Sequence, residues 1–210
     1  DDVMSDSYEI STKGLSLGYG IPLTENTRLN SKIEYAKNDI SCGSEFSATG
    51  YEPDQCATSS NDEVKLSFNW SENTLNDYMY PTDGSRNALG VSIATPLGDY
   101  RYFNINANHI SYKPLSNDLT LKLTAGLGLA KGYSGNDLPF FKRYFGGGSG
   151  SVRGFGNKTL GPLYPNNKAK GGELSILGSV NIIAPAYFFD DNDNMRMSAF
   201  IDTGNIYEKT

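Results

Sequence analysis

The sequence predicts an all-β fold, a transmembrane antiparallel β-barrel, and three observations predict it. Eight stretches alternate apolar and polar residues with a period of two, as strands with one apolar and one polar face do. These stretches run to about ten residues, the length a tilted strand needs to cross a bilayer. The composition sets 14 Tyr, 10 Phe and 23 Gly beside an apolar share of only 38%, which suits a wall with one face toward lipid and one toward water. Composition by itself leaves a soluble β-sandwich equally open. Strand length and connection lengths favour the barrel.

Taken in order, the first strand spans about Tyr8 to Gly20, with Leu15, Leu17 and Tyr19 on one face. After a turn at Pro22 to Asn26, Leu29, Ile33 and Tyr35 alternate with Asn30, Lys32 and Glu34. A long loop is expected at 37–62, and then Val64, Leu66, Phe68 and Trp70 alternate with Lys65, Ser67 and Asn69. A Pro and an Asp-Gly mark the turn at Pro81-Thr82-Asp83-Gly84. Leu89, Val91 and Ile93 form the next apolar face, and the short Pro96 to Asp99 turn leads to Phe103, Ile105 and Ala107. After Pro114 to Asp118 comes the most regular strand, Leu119, Leu121, Leu123, Ala125, Leu127 and Leu129 against Thr120, Lys122, Thr124, Gly126 and Gly128. A second long loop spans 131–172. Leu174, Ile176, Val180 and Ile182, then Met195, Met197, Ala199 and Ile201, complete the eight apolar faces. Leu121, Leu123, Val180 and Ile182 are expected to face lipid, and Lys122, Thr124 and Asn181 the lumen. Short turns alternating with long loops place the short turns in the periplasm and the long loops outside, the 96–99 connection excepted.

Several function classes fall away. A net charge of −6 and a pI near 4.8 argue against a nucleic-acid partner. His109 is the only histidine, so no Ser-His-Asp set can be built without it, and no Gly-x-Ser-x-Gly elbow is present. The glycines at 146 to 150 lack the Gly-Lys-Ser/Thr ending of a phosphate cradle. Asp190, Asp191 and Asp193 lack the spacing of a calcium loop and read as a solvated turn. No catalytic residue, metal site or cofactor is expected. Cys42 and Cys56 share a polar loop with no further ligands for a metal, and a disulfide is expected over two free thiols. The start Asp1-Asp2-Val3 is not a basic-then-apolar leader, and the stretch reads as a fragment of a longer chain.

The sequence Tyr144 to Pro162, YFGGGSGSVRGFGNKTLGP, stands apart. Glycines 146, 147, 148, 150 and 154 permit backbone conformations closed to other residues, and they surround one arginine with a flat fork of donors. Val152-Arg153-Gly154-Phe155, with Pro139-Phe140-Phe141 before it and Leu160-Gly161-Pro162 after it, resembles the conserved loop of the BamA family of outer-membrane assembly factors. Pro81-Thr82-Asp83-Gly84-Ser85-Arg86 resembles that family's short periplasmic turn, and the resemblance extends over nearly all of the chain.

The resemblance implies a bacterial outer-membrane, multi-pass location and one domain, residues 1–210, forming an eight-strand portion of a larger, sixteen-stranded barrel. It implies a loop that folds back into the lumen, where Arg153 pairs with Asp202 of an Asp-x-Gly sequence; a family glutamate on the preceding strand is matched here by Asn181. It implies a protein that folds and inserts other barrels without bond chemistry, with outer-membrane lipid, nascent barrel proteins and accessory lipoproteins as partners. Related translocation-assembly or two-partner secretion barrels carry the same loop motif, whereas a passive porin does not.

Overall fold

The computed structural model describes residues 8–42, 59–165, 167–186 and 195–209. Eight strands form one antiparallel sheet in sequence order: β1 (Tyr8–Pro22), β2 (Thr27–Cys42), β3 (Ser59–Asn73), β4 (Gly84–Ala94), β5 (Tyr102–Pro114), β6 (Thr120–Gly132), β7 (Leu174–Pro185) and β8 (Arg196–Tyr207). Each strand pairs with its sequence neighbours, and β1 and β8 do not pair with each other. No helix among the described residues is long and apolar enough to cross a membrane, which says nothing of crossing by strands.

Register keeps the apolar set on one face. Leu121 lies opposite Ile182 and Leu123 opposite Val180, while Lys122 lies opposite Asn181 and Thr124 opposite Ser179. Trp70 pairs with Leu29 on one side and Leu89 on the other, so the apolar rows continue across β2–β4. This outer face is bare: Ile33, Phe68, Leu127 and Ile182 are all exposed. So continuous an apolar surface requires an apolar solvent.

The strands are longer than about ten residues, and the loop expected at 37–62 is shorter. Lys37, Asn38, Asp39 and Ile40 pair with Asp62, Asn61, Ser60 and Ser59, which leaves 43–58 as the connection. Polar residues on both faces hide this extension from a search for alternation. Asn38 and Ile40 are nevertheless buried, because another part of the chain covers them. The turn motif also shifts: Gly84, Ser85 and Arg86 belong to β4, and the turn proper is 74–83. Gly84 has φ +96°, and a Cβ there would lie 2.2 Å from the Thr74 carbonyl oxygen, so the ladder closes at this position only without a side chain. The turn is held by its own side chains. Asn76 Oδ1 accepts from the N–H groups of Thr82 and Asp83, and Asp77 Oδ1 from those of Met79 and Tyr80.

Candidate functional site

The connection from β6 to β7, residues 133–173, lies on the inner face of the sheet. Its approach carries a short 3-10 turn, Phe140–Lys142. The Phe140 ring is 2% exposed, packed against Ile40 and edge-on to Tyr8 at 4.8 Å. Tyr144 and Gly172 exchange backbone hydrogen bonds of 2.9 and 3.0 Å, closing the base of the loop. The Tyr144 ring lies over Gly128 of β6, where a Cβ would stand 2.7 Å from it, and its hydroxyl donates to Asn106 Oδ1 at 2.7 Å. Farther on, Gly146 and Gly161 both press on Ile206 of β8, itself 2% exposed. Ile206 and Ile40 lie on the inner, mostly polar face, and the loop covers them.

This path delivers Arg153 to β7 and β8. The Arg153 Nε–H donates to Asp202 Oδ2 and Nη2 to Oδ1, each at 2.7 Å, the two-pronged contact a guanidinium makes with a carboxylate. The Arg153 backbone N–H also donates to Asp202 Oδ2 at 2.9 Å, so the backbone of the motif is fixed as well as its side chain. Nη2 reaches Asn181 Oδ1 at 3.0 Å and Ser179 Oγ at 3.2 Å, and the Ser179 hydroxyl donates to Asp202 Oδ1 at 2.6 Å. The guanidinium carbon stands 3.2 Å from the centre of the Phe200 ring. The Asp202 side chain is 3% accessible and that of Arg153 31%. The hydrogen bond to Asp202 pushes the Arg153 pKa above its already high value, so the cation is permanent.

The geometry thus brings together Arg153, Asp202 and Asn181. It adds Ser179 and Phe200, which the sequence reading did not single out. Strand parity carries the signal for both, since Ser179 lies opposite Asp202 and Phe200 opposite Asn181. Of the other motif residues, Val152 is 4% exposed, Gly154 takes φ +93°, and Phe155 is exposed while its carbonyl accepts from Gly148 N–H at 3.0 Å. The turn motif 81–86 sits at the opposite end of the strands from the loop. His109 accompanies Asn87 on the outer face, Nδ1 to Oδ1 2.6 Å. Cys42 ends β2, but Cys56 lies outside the described residues, as do Asp190, Asp191 and Asp193.

A second polar cluster, also missed, surrounds Glu63 of β3, which is 2% exposed. Tyr102 donates its hydroxyl to Oε1 at 2.5 Å, and Asn38 Nδ2 donates to Oε2 at 3.3 Å. Lys142 Nζ of the loop lies 3.3 Å from Oε2 and Lys65 Nζ 3.8 Å from Oε1. Burial pushes the Lys142 pKa down, and the charge of Glu63 opposes that shift.

Residues 1–210 match the Omp85 superfamily domain. The chain belongs to the Omp85 superfamily. The Omp85 chain is 27% identical over 228 residues to the outer membrane protein assembly factor BamA of Neisseria meningitidis serogroup B (strain ATCC BAA-335 / MC58), over 96% of this chain and 27% of that protein. It also superposes on a crystal structure of BamA from Haemophilus ducreyi lacking POTRA domains 1–3, with a TM-score of 0.86 and 25% identity, covering 98% of this chain and 43% of that one. It therefore spans less than half the length of the relatives it matches. Its apolar outer face is that of an integral outer-membrane Omp85 barrel.

Proposed function

We propose that the protein to which these strands belong folds and inserts β-barrel proteins into the bacterial outer membrane. In this reading the eight strands are a consecutive part of a larger, sixteen-stranded barrel, with the 43–58 and 133–173 connections outside the cell and the 74–83 turn in the periplasm. The observation that carries the proposal is the Arg153–Asp202 contact, which fastens a long inward loop to β8 by side chain and backbone together. Insertion needs no bond chemistry. A nascent strand in lipid must satisfy its backbone N–H and C=O groups, and an opened barrel edge offers them. An edge can open without collapse only if the rest of the wall holds its curvature. The loop braces that wall. Its clients are unfolded barrel proteins, its solvent is outer-membrane lipid, and accessory lipoproteins complete the assembly complex.

The test is Arg153→Ala in the full-length protein, with the heat-modifiable folded form of a client barrel as the readout. The variant is expected to accumulate in the membrane and to fold clients slowly. An Arg153→Ala protein with normal client insertion would overturn the reading. A purified Arg153→Ala protein that conducts ions normally but was never competent for insertion would point instead to a secretion pore.

A further inference from the structure

We propose that Glu63 is a positioning residue whose carboxylate anchors the approach of the 133–173 loop through Lys142, so that the loop carries a second charged anchor, on β3, besides Arg153 on β8. The proposal rests on the reading of the loop as a brace. Glu63 is almost fully buried yet acidic, and a buried carboxylate requires partners for both oxygens. Oε1 accepts from Tyr102 at 2.5 Å, and Oε2 faces Asn38 and Lys142, both at 3.3 Å. Asn38, Tyr102 and Lys65 belong to β2, β5 and β3 and are parts of the wall. Lys142 comes from the loop. Removing it leaves Oε2 without a cation and Lys65 of β3, 3.8 Å from Oε1, as the remaining positive charge on Glu63 among the described residues.

The loop presents Lys142 in a built setting. The Lys142 N–H bonds to the Pro139 carbonyl at 2.9 Å, closing the 3-10 turn. Its ammonium lies 5.5 Å from the centre of the Tyr102 ring and 5.3 Å from that of Phe141. Phe140, two residues earlier, is wedged against Ile40 and Tyr8. One short turn therefore places an apolar plug and a cation against β1–β3, while Arg153 is tied to β7 and β8. With strands about 4.8 Å apart, β3 and β8 are separated by roughly 24 Å of sheet. A strap fastened at both points holds the spacing between β3 and β8, in addition to the hold at Arg153.

The experiment is a mutant cycle in the full-length protein in bilayers, with Glu63→Gln, Lys142→Met and the double variant. Hydrogen exchange is followed in the peptide covering 138–145, and client insertion in parallel. Each single variant is expected to speed exchange there at least tenfold and to slow insertion, while exchange around Arg153 stays protected. The double variant should exceed neither single by much, because both remove one contact. Unchanged exchange in either single, or effects that multiply in the double, would overturn the proposal. Should Glu63→Gln fail to fold, Lys142→Glu replaces it: like charge at Glu63 must loosen the peptide more than Lys142→Met does, and equal effects would overturn the proposal. Normal insertion in Lys142→Met beside defective insertion in Arg153→Ala removes the second anchor but leaves the brace. Normal insertion in Arg153→Ala removes the brace itself.

Discussion

Replacing Gly161 by alanine should lift the arginine motif off the barrel wall, and the structure gives the size of the effect. Gly161 has φ +108°, and a Cβ there would lie 2.6 Å from Ile206 Cβ and 3.0 Å from the Ile206 carbonyl oxygen. Carbon atoms pack at about 3.5–4.0 Å, so the loop or β8 must yield by roughly 1 Å. Backbone strain for a side chain at such a φ costs about 1–3 kcal/mol. Overpacking against a filled position costs about 1–3 kcal/mol more. β8 is held by its ladder to β7, so the loop is the part that yields, losing on the order of 3 kcal/mol of its attachment. At about 1.4 kcal/mol per factor of ten, the detached state rises roughly a hundredfold. The assay is hydrogen exchange at the N–H of Leu160, bonded to the Gly146 carbonyl at 3.0 Å, and at that of Arg153. Gly150→Ala is the internal control, since its Cβ meets nothing within 4 Å. If Gly161→Ala exchanges no faster than Gly150→Ala, the loop is not seated on Ile206 and the argument fails.

Asp202→Asn should release the loop and lower client insertion, and Arg153→Lys should restore less than half of what Arg153→Ala loses, since an ammonium cannot span both Asp202 oxygens; client folding rates check both. Gly84→Ala should disorder the 74–83 turn, because the new Cβ would sit 2.2 Å from the Thr74 carbonyl; slower folding of the barrel itself, seen by heat modifiability, is the readout. Asp77 is held below its ordinary pKa of 3.8 by hydrogen bonds from the N–H groups of Tyr80 and Met79. Its contribution is present above that ordinary value and is lost as pH falls through the depressed one, so exchange at Met79 and Tyr80 should be pH-independent in stabilisation near neutrality and rise only under strongly acid conditions. Cys42 and Cys56 are proposed to be joined, in keeping with the lack of a free cysteine among the described residues; intact-mass measurement before and after reduction should show the two added hydrogens, and thiol labelling without reductant would refute it.

The sequence by itself determined the strands, their order and their inner and outer faces. Period-two alternation is a local property, and in an antiparallel meander each strand needs only its neighbours. Leu121, Leu123, Val180 and Ile182 are therefore assigned to one face by their alternation, and the register places them there. The arginine motif and its acid were legible too, the first by its glycines and its resemblance, the second by strand parity and the Gly204 two residues on. What only the tertiary structure decided is where the loop lies. Ile40 and Ile206 are buried on the inner face because a segment distant in sequence covers them. The same covering hides the ends of β2 and β3, where Asn38 and Glu63 look like loop residues until Lys142 and Tyr102 enclose them. Burial of a polar side chain is set by what packs on it, and in this protein the packing arrives from a loop some eighty residues later.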